Sequence, residues 1–257
     1  MNRRSFFTRS LLSAAALSLA GPSAFAREGA KAKRTWFEIR KYELKAGGAA
    51  TLRAYLGQAL IPALNRLGIT PVGVFSEKDA PDVVYTVAPL PGLKTLEALS
   101  DRIWADEAFI AAGRSYHSLT TEQAPIVRCQ THLIYGIEGA PGLRLPAKTD
   151  TYFELRTYDG PNEEAVHRKI GMFNKEELTL FRKLDLDPIL FGRTLAGADT
   201  PHLIYLLSYP DEAAREARWK TFIDHPEWAA MKDKPEYAHT VSKVNRTNLV
   251  RLPEGQW

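Results

Sequence analysis

The sequence predicts an α+β fold in which two tandem ferredoxin-like (βαββαβ) units form one fused, pseudo-dimeric α/β barrel. Three observations lead there. A strand is repeated, WFEIRKY at 36–42 and YFELRTY at 152–158. The same order of periodic segments follows each copy. A stretch rich in Gly and Pro, EGAPGLRLPAKTD (138–150), joins them.

The first 26 residues read as an export signal rather than as part of the fold. Arg3-Arg4 precedes Phe6-Phe7, an apolar run from Leu11 to Ala20 and a small-x-small site at Ala24-Phe25-Ala26. The twin arginine resembles a Tat-type signal, with an ordinary Sec signal as the alternative. The run is shorter than the roughly 20 residues that span a bilayer, so no stable membrane anchor is expected after cleavage. The expected destination is the periplasm or the medium. Residues 27–34 are expected to form a flexible leader. Arg3, Arg4 and Arg9 fall inside the signal, so Lys+Arg drops from 34 to 31 against 30 Asp+Glu. A near-neutral mature chain gives no reason to expect a nucleic-acid partner. Cys129 is the only cysteine, which excludes an internal disulfide.

Behind WFEIRKYEL come Gly47-Gly48 and a helical period through Leu52, Leu56, Leu60 and Leu64. Behind YFELRTY come Asn162-Glu163-Glu164, a helix start, and then Val166, Ile170, Phe173 and Phe181. ITPVGVF (69–75) answers LDPILFG (186–192), and DVVYTV (82–87) answers HLIYLL (202–207), which pairs Tyr85 with Tyr205. Second helices follow at 93–115 and 211–237, and closing strands at 126–135 and 243–251. The offsets between copies drift only from 116 to 120. The units are therefore 35–137 and 151–252. One such sheet leaves a face bare, so two are expected to join face to face with their helices outside. The other arrangement is two separate units, each pairing with another molecule, which leaves room for a homo-oligomer.

Strand alternation assigns the faces. Phe37, Ile39, Phe153 and Leu155 form an apolar face expected under the helices. Glu38, Arg40, Glu154, Arg156 and Tyr158 point the other way, into the barrel. The closing strands are expected to add Arg128, Gln130 and His132 from one half and Arg246 and Asn248 from the other. Two readings follow. In one, each Glu is held by Arg and the set is a structural network. In the other, surplus guanidinium groups line a central polar cavity and bind a small, anionic molecule.

The second half resembles the NIPSNAP family over about 151–252. The residues that carry this are YFELRTY (152–158), PILFGRTLAG (188–197), Trp219-Lys220-Thr221-Phe222 and His225-Pro226-Glu227-Trp228. The first half resembles the same module more loosely, with Asp106-Glu107-Ala108-Phe109 at the last place. NIPSNAP domains are similar to the dimeric α/β barrel superfamily, which includes cofactor-free monooxygenases, haem-dependent enzymes and proteins of unknown role. The resemblance implies the fold; it implies chemistry only by analogy. It suggests oxygenase-like or proton-transfer chemistry on an acidic organic substrate, with His132 or His167 moving protons. The alternative is a non-enzymatic binding or scaffold protein with a solid barrel and a partner site on its outer helices.

Other chemistries find no support. The six histidines are scattered, without His-x-His or His-x₃-His spacing, so no metal, haem or other cofactor is expected. No Gly-rich phosphate loop and no Gly-x-Ser-x-Gly elbow occur. Trp219, Phe222 and Trp228 read as core anchors. His225 and Asp106 read as helix caps, with Pro226 at a first helical position.

Overall fold

The computed structural model describes residues 32–257. The proposed export signal and most of the leader lie outside the described residues. Eight antiparallel strands close into one barrel in the order β1-β3-β2-β8-β5-β7-β6-β4. The first half contributes β1 (Trp36–Leu44), β2 (Gly73–Glu77), β3 (Ala80–Leu90) and β4 (Ile126–Gly136). The second contributes β5 (Tyr152–Asp159), β6 (Leu190–Ala196), β7 (His202–Tyr209) and β8 (Lys243–Arg251). Each half runs in the ferredoxin-like order 4-1-3-2, and the halves are stitched by β2–β8 and β4–β6 ladders. Closure removes every sheet edge within a single chain. β2 and β6 begin about four residues later than the sequence pattern suggests. Pro71 and Pro188 cannot donate to a ladder, so pairing starts beyond them.

The helices lie outside. In the first half, α1 (Ala49–Tyr55), a π turn (Leu56–Leu60) and α2 (Ile61–Arg66) form the first helix. Four short pieces follow β3: α3 (Leu93–Glu97), α4 (Leu99–Trp104), α5 (Glu107–Ala112) and α6 (Arg114–His117). In the second half, α7 (Glu163–Met172), a π turn (Phe173–Glu177) and α8 (Leu178–Lys183) form the first helix; α9 (Glu212–Ile223) and α10 (Pro226–Lys232) follow β7. Four of these helices, α5, α7, α9 and α10, are capped by side chains. Asn162 accepts from Ala165 N at 2.9 Å, Asp211 from Ala214 N at 2.8 Å and Asp106 from Phe109 N at 3.1 Å. His225 Nδ1 accepts from Glu227 N at 3.2 Å.

The faces of the strands are the reverse of those expected. The barrel interior is one apolar cluster drawn from both halves, including Phe37, Ile39, Phe75, Phe153, Leu155 and Leu206. Phe75 and Phe153 meet there with ring centroids 4.9 Å apart. Leu143 of the linker and Trp257 pack against this cluster. Two further cores lie between sheet and helices, one per half. Glu38, Arg40, Glu154, Arg156 and Tyr158 therefore face the helices. The expected central cavity lined by these charges is replaced by packed hydrocarbon. The reason is that the opening strands β1 and β5, like β7, are buried on both faces, so alternation alone does not tell inside from outside.

Register divides the expected set further. On β1 and β4, Ile39 stands opposite His132 and Lys41 opposite Gln130, so Gln130 and His132 face the barrel while Glu38 and Arg40 do not. On β5 and β8, Glu154 stands opposite Asn248 and Arg156 opposite Arg246, so these four share the helix side. Arg40 faces Thr86 and Arg156 faces Tyr205. Thr86, not Tyr85, is thus the counterpart of Tyr205.

Candidate functional site

A cavity of about 420 Å³ lies between the sheet and helices of the second half. Arg156 and Tyr158 of β5 and Arg246 of β8 form its sheet side. Glu177, at the end of the π turn, with Trp219, Phe222 and Trp228 of α9 and α10, forms its helix side. π turns displace side chains from the regular helical rows and often occur at functional sites.

Glu154 anchors this site from beneath. It is fully buried and accepts four hydrogen bonds: from Arg156 Nη1 at 3.1 Å, Arg215 Nη2 at 2.7 Å, Trp219 Nε1 at 2.6 Å and the Tyr209 hydroxyl at 3.3 Å. Burial pushes its carboxyl up, but the charges of Arg156 and Arg215 and these hydrogen bonds outweigh burial. The net result holds it below the ordinary range. Arg156 lies over the Trp219 ring, 4.0 Å from its centroid, and its Nη2 donates to the Tyr158 hydroxyl at 3.1 Å. The Tyr205 hydroxyl donates to the same oxygen at 2.8 Å. Tyr158 accepts twice, so its own proton is free. Arg156 Nε is buried and has no partner among the described residues. The structural network and the cavity therefore coexist: Glu154 is satisfied, while the Nε–H of Arg156 is unspent among the described residues.

Above the sheet, Lys169 and Glu177 form a second buried pair, Nζ to Oε2 2.7 Å. They are 5% and 1% exposed. Lys169 Nζ also sits 4.5 Å from the Phe173 ring centroid. Burial pushes the Glu177 carboxyl above its ordinary range, against the pull of Lys169. The sequence reading missed Lys169, Glu177 and Arg215. A signal was present for two of them: Lys169, Phe173, Glu177 and Phe181 stand four residues apart, which places two charges in an apolar row.

The other expected site residues disperse. Arg40 lines a separate cavity of about 330 Å³ in the first half, and its Nη2 donates to Glu38 at 2.9 Å. Asn248 lies beside Glu154 on β8, with its Oδ1 buried and unpartnered. Gln130 and His132 line a third cavity at one end of the barrel. Arg128 and His167 are exposed and line none of these three cavities. Among the described residues, no cluster of three or more His, Cys, Asp or Glu side chains is spaced to hold a metal, and no helix is long and apolar enough to cross a membrane.

A closed antiparallel eight-stranded barrel with paired outer helices is the dimeric α/β barrel architecture, here completed by one chain. Solved structures share it. A candidate monooxygenase from Lactobacillus acidophilus superposes with a TM-score of 0.58 at 11% identity, covering 85% of this chain and 94% of its own. One from Fusobacterium nucleatum gives 0.56 at 9%, covering 86% and 94%. An anthrone oxidase-like protein gives 0.51 at 9%, covering 86% and 93%. Within that class, residues 153–254, most of the second half, match the NIPSNAP family. No curated protein matches the sequence.

Proposed function

We propose that the second half binds a small, flat organic acid, of the phenolate or enolate type, in the cavity between its sheet and helices. The observation that carries this reading is the unspent Nε–H of Arg156, buried at a cavity walled by Trp219 and Trp228. A buried guanidinium N–H without an acceptor is costly, and an anionic oxygen satisfies it. The free proton of Tyr158 supplies a second donor to the same oxygen, and the indole faces suit a conjugated body. Glu177, its carboxyl held above the ordinary range by burial, is suited to take up the proton that the acid releases. The fold neighbours described as monooxygenases and as anthrone oxidase-like favour a finer version, in which the bound anion reacts with dioxygen without a cofactor. The barrel closes within one chain, so this reading needs no second copy.

Trp219 and Trp228 report on occupancy directly. Titration of the protein with anthrone and 1-naphthol should quench their fluorescence saturably. Arg156→Lys keeps the charge beside Glu154 but loses the planar fork, and should weaken binding about tenfold with little change in melting. A linear, unsaturable response to both probes in the folded protein overturns the proposal.

We also propose that the chain works outside the cytoplasm, on the strength of Arg3-Arg4 and the apolar run behind it. Replacing both arginines with lysine should leave the protein in the cytoplasmic fraction. Unchanged export of that variant would assign it to the Sec route. Cytoplasmic retention of the unaltered chain would refute export.

A further inference from the structure

The barrel is apolar along most of its length, but one end is polar. A cavity of about 440 Å³ opens there between the two halves, separate from the cavity of the second half. Its floor is apolar, with Ile39, Tyr85, Leu155 and Ile204. Its rim carries charge on opposite walls. On one wall, Asp159 of β5 lies in register with His202 of β7 and with Lys243 of β8. On the other, Lys41 of β1 lies in register with Gln130 of β4. β1 and β5 stand four strands apart in the ring of eight, so Lys41 and Asp159 face each other across the mouth.

His202 is 1% exposed. Its Nδ1 lies 2.8 Å from the Asp199 carbonyl, which can only accept, so Nδ1 carries the proton and Nε2 offers a lone pair. Nε2 is buried and unpartnered. Asp159 Oδ2 accepts from Asn245 Nδ2 at 2.9 Å, but Oδ1 is also buried and unpartnered. The ring of His132 lies 5.4 Å from that of His202, and its Nδ1 is unpartnered as well. Two adjacent buried acceptors, one of them a carboxylate, call for a cationic donor. Lys41, whose one ion pair among the described residues is a partly exposed contact with Glu43 at 3.2 Å, calls for an anion on the far side. A greasy floor lies between them.

We propose that the barrel mouth is a second binding site, for a free apolar α-amino acid. Its ammonium group sits on Asp159 and His202, its carboxylate faces Lys41, and its side chain rests on the floor. This site is independent of the organic-acid site: the two share no lining residue.

Calorimetric titration of the full chain tests this with L-leucine, N-acetyl-leucine and leucinamide. Leucine should bind, and each derivative, lacking one charge, should bind about tenfold more weakly. Asp159→Asn should erase the preference over N-acetyl-leucine, and Lys41→Met the preference over leucinamide. Trp228→Leu, at the other cavity, should leave leucine binding unchanged while reducing anthrone binding. The proposal is overturned if leucine gives no binding, if N-acetyl-leucine binds as well as leucine, or if a normally melting Lys41→Met or Asp159→Asn variant keeps both preferences.

Discussion

Where the π turn of the first half ends in Leu60, that of the second ends in Glu177; eight residues earlier in each helix stand Leu52 and Lys169. Opposite them, Leu96 and Ser100 line the first cavity where Arg215 and Trp219 line the second. Thr86 occupies the sheet position of Tyr205. Both halves keep the Glu-x-Arg strand, with Glu and Arg bonded to each other at 2.9 Å and 3.1 Å. Arg40 also meets Tyr42, but only the second half adds a second arginine and an indole N–H to the glutamate and a buried ion pair above it. The repeated strand is thus a structural device common to both modules. What distinguishes the second half is supplied by its helices.

The largest effects should fall on Glu154. Removing its carboxylate in Glu154→Ala leaves Arg156, Arg215 and the Trp219 N–H without their acceptor, and should cost about 3–5 kcal/mol. Glu38→Ala removes one bond to an arginine whose side chain is 29% exposed, and should cost about 1 kcal/mol. Urea unfolding of the two variants measures both. Equal losses would mean that the halves are not differently built after all.

Lys169→Met comes next. It leaves Glu177 buried without a counter-charge and should cost about 3 kcal/mol near neutral pH. The sign of its pH dependence follows from the direction of the shift. Glu177 holds its proton more tightly when folded than when unfolded. Its contribution is therefore present below the ordinary carboxylate range and lost as pH rises through its folded value. Lys169→Met should deepen that loss, so melting of the variant should approach wild type on acidification and fall behind it as pH rises. A deficit that does not change with pH would assign the loss to packing instead.

Copying the first half into the second sharpens the point. The double variant Lys169→Leu, Glu177→Leu installs the residues found at 52 and 60. Replacing a buried ion pair by hydrocarbon of similar volume is often neutral or stabilising, so its stability should lie within about 1–2 kcal/mol of wild type or above it. Anthrone should then be bound through Arg156 as before, while the uptake of its proton by Glu177, as proposed above, should be lost. A large loss of stability in the double variant would show that the pair is needed for the fold rather than for a ligand.

The order of strands was legible because the repeat fixes it: two βαββαβ runs with apolar alternation have few ways to bury both faces. Which face turns inward was not. Phe37 and Glu38 are both buried, at 0% and 8% exposure, one under the other barrel wall and one under helices. In the second half the charged face is satisfied by Arg215 and Trp219 from α9 and by Tyr209 from β7, contacts that join residues more than fifty positions apart. Nor does the sequence reveal that β1 pairs odd positions with even positions of β4, which moves Gln130 and His132 to the barrel side. Glu177 was within reach: a carboxylate in a row of phenylalanines has to be paired or functional.

The smallest expected effect concerns the helix restart, where the two halves solve one problem with different caps. Asp106 accepts from Phe109 N and pairs with Arg66, and its carboxyl is held below the ordinary range, first by the Phe109 N–H. Its contribution is present above that range and fades as pH falls through its folded value. His225 offers a single 3.2 Å bond to Glu227 N and belongs to the His-Pro-Glu-Trp stretch typical of the second half. Aspartate is the better cap, so His225→Asp should raise stability by about 0.5–1 kcal/mol in thermal melts and leave anthrone quenching unchanged. If binding weakens instead, His225 serves the cavity through Trp228, three residues on, and the comparison with Asp106 fails at that point.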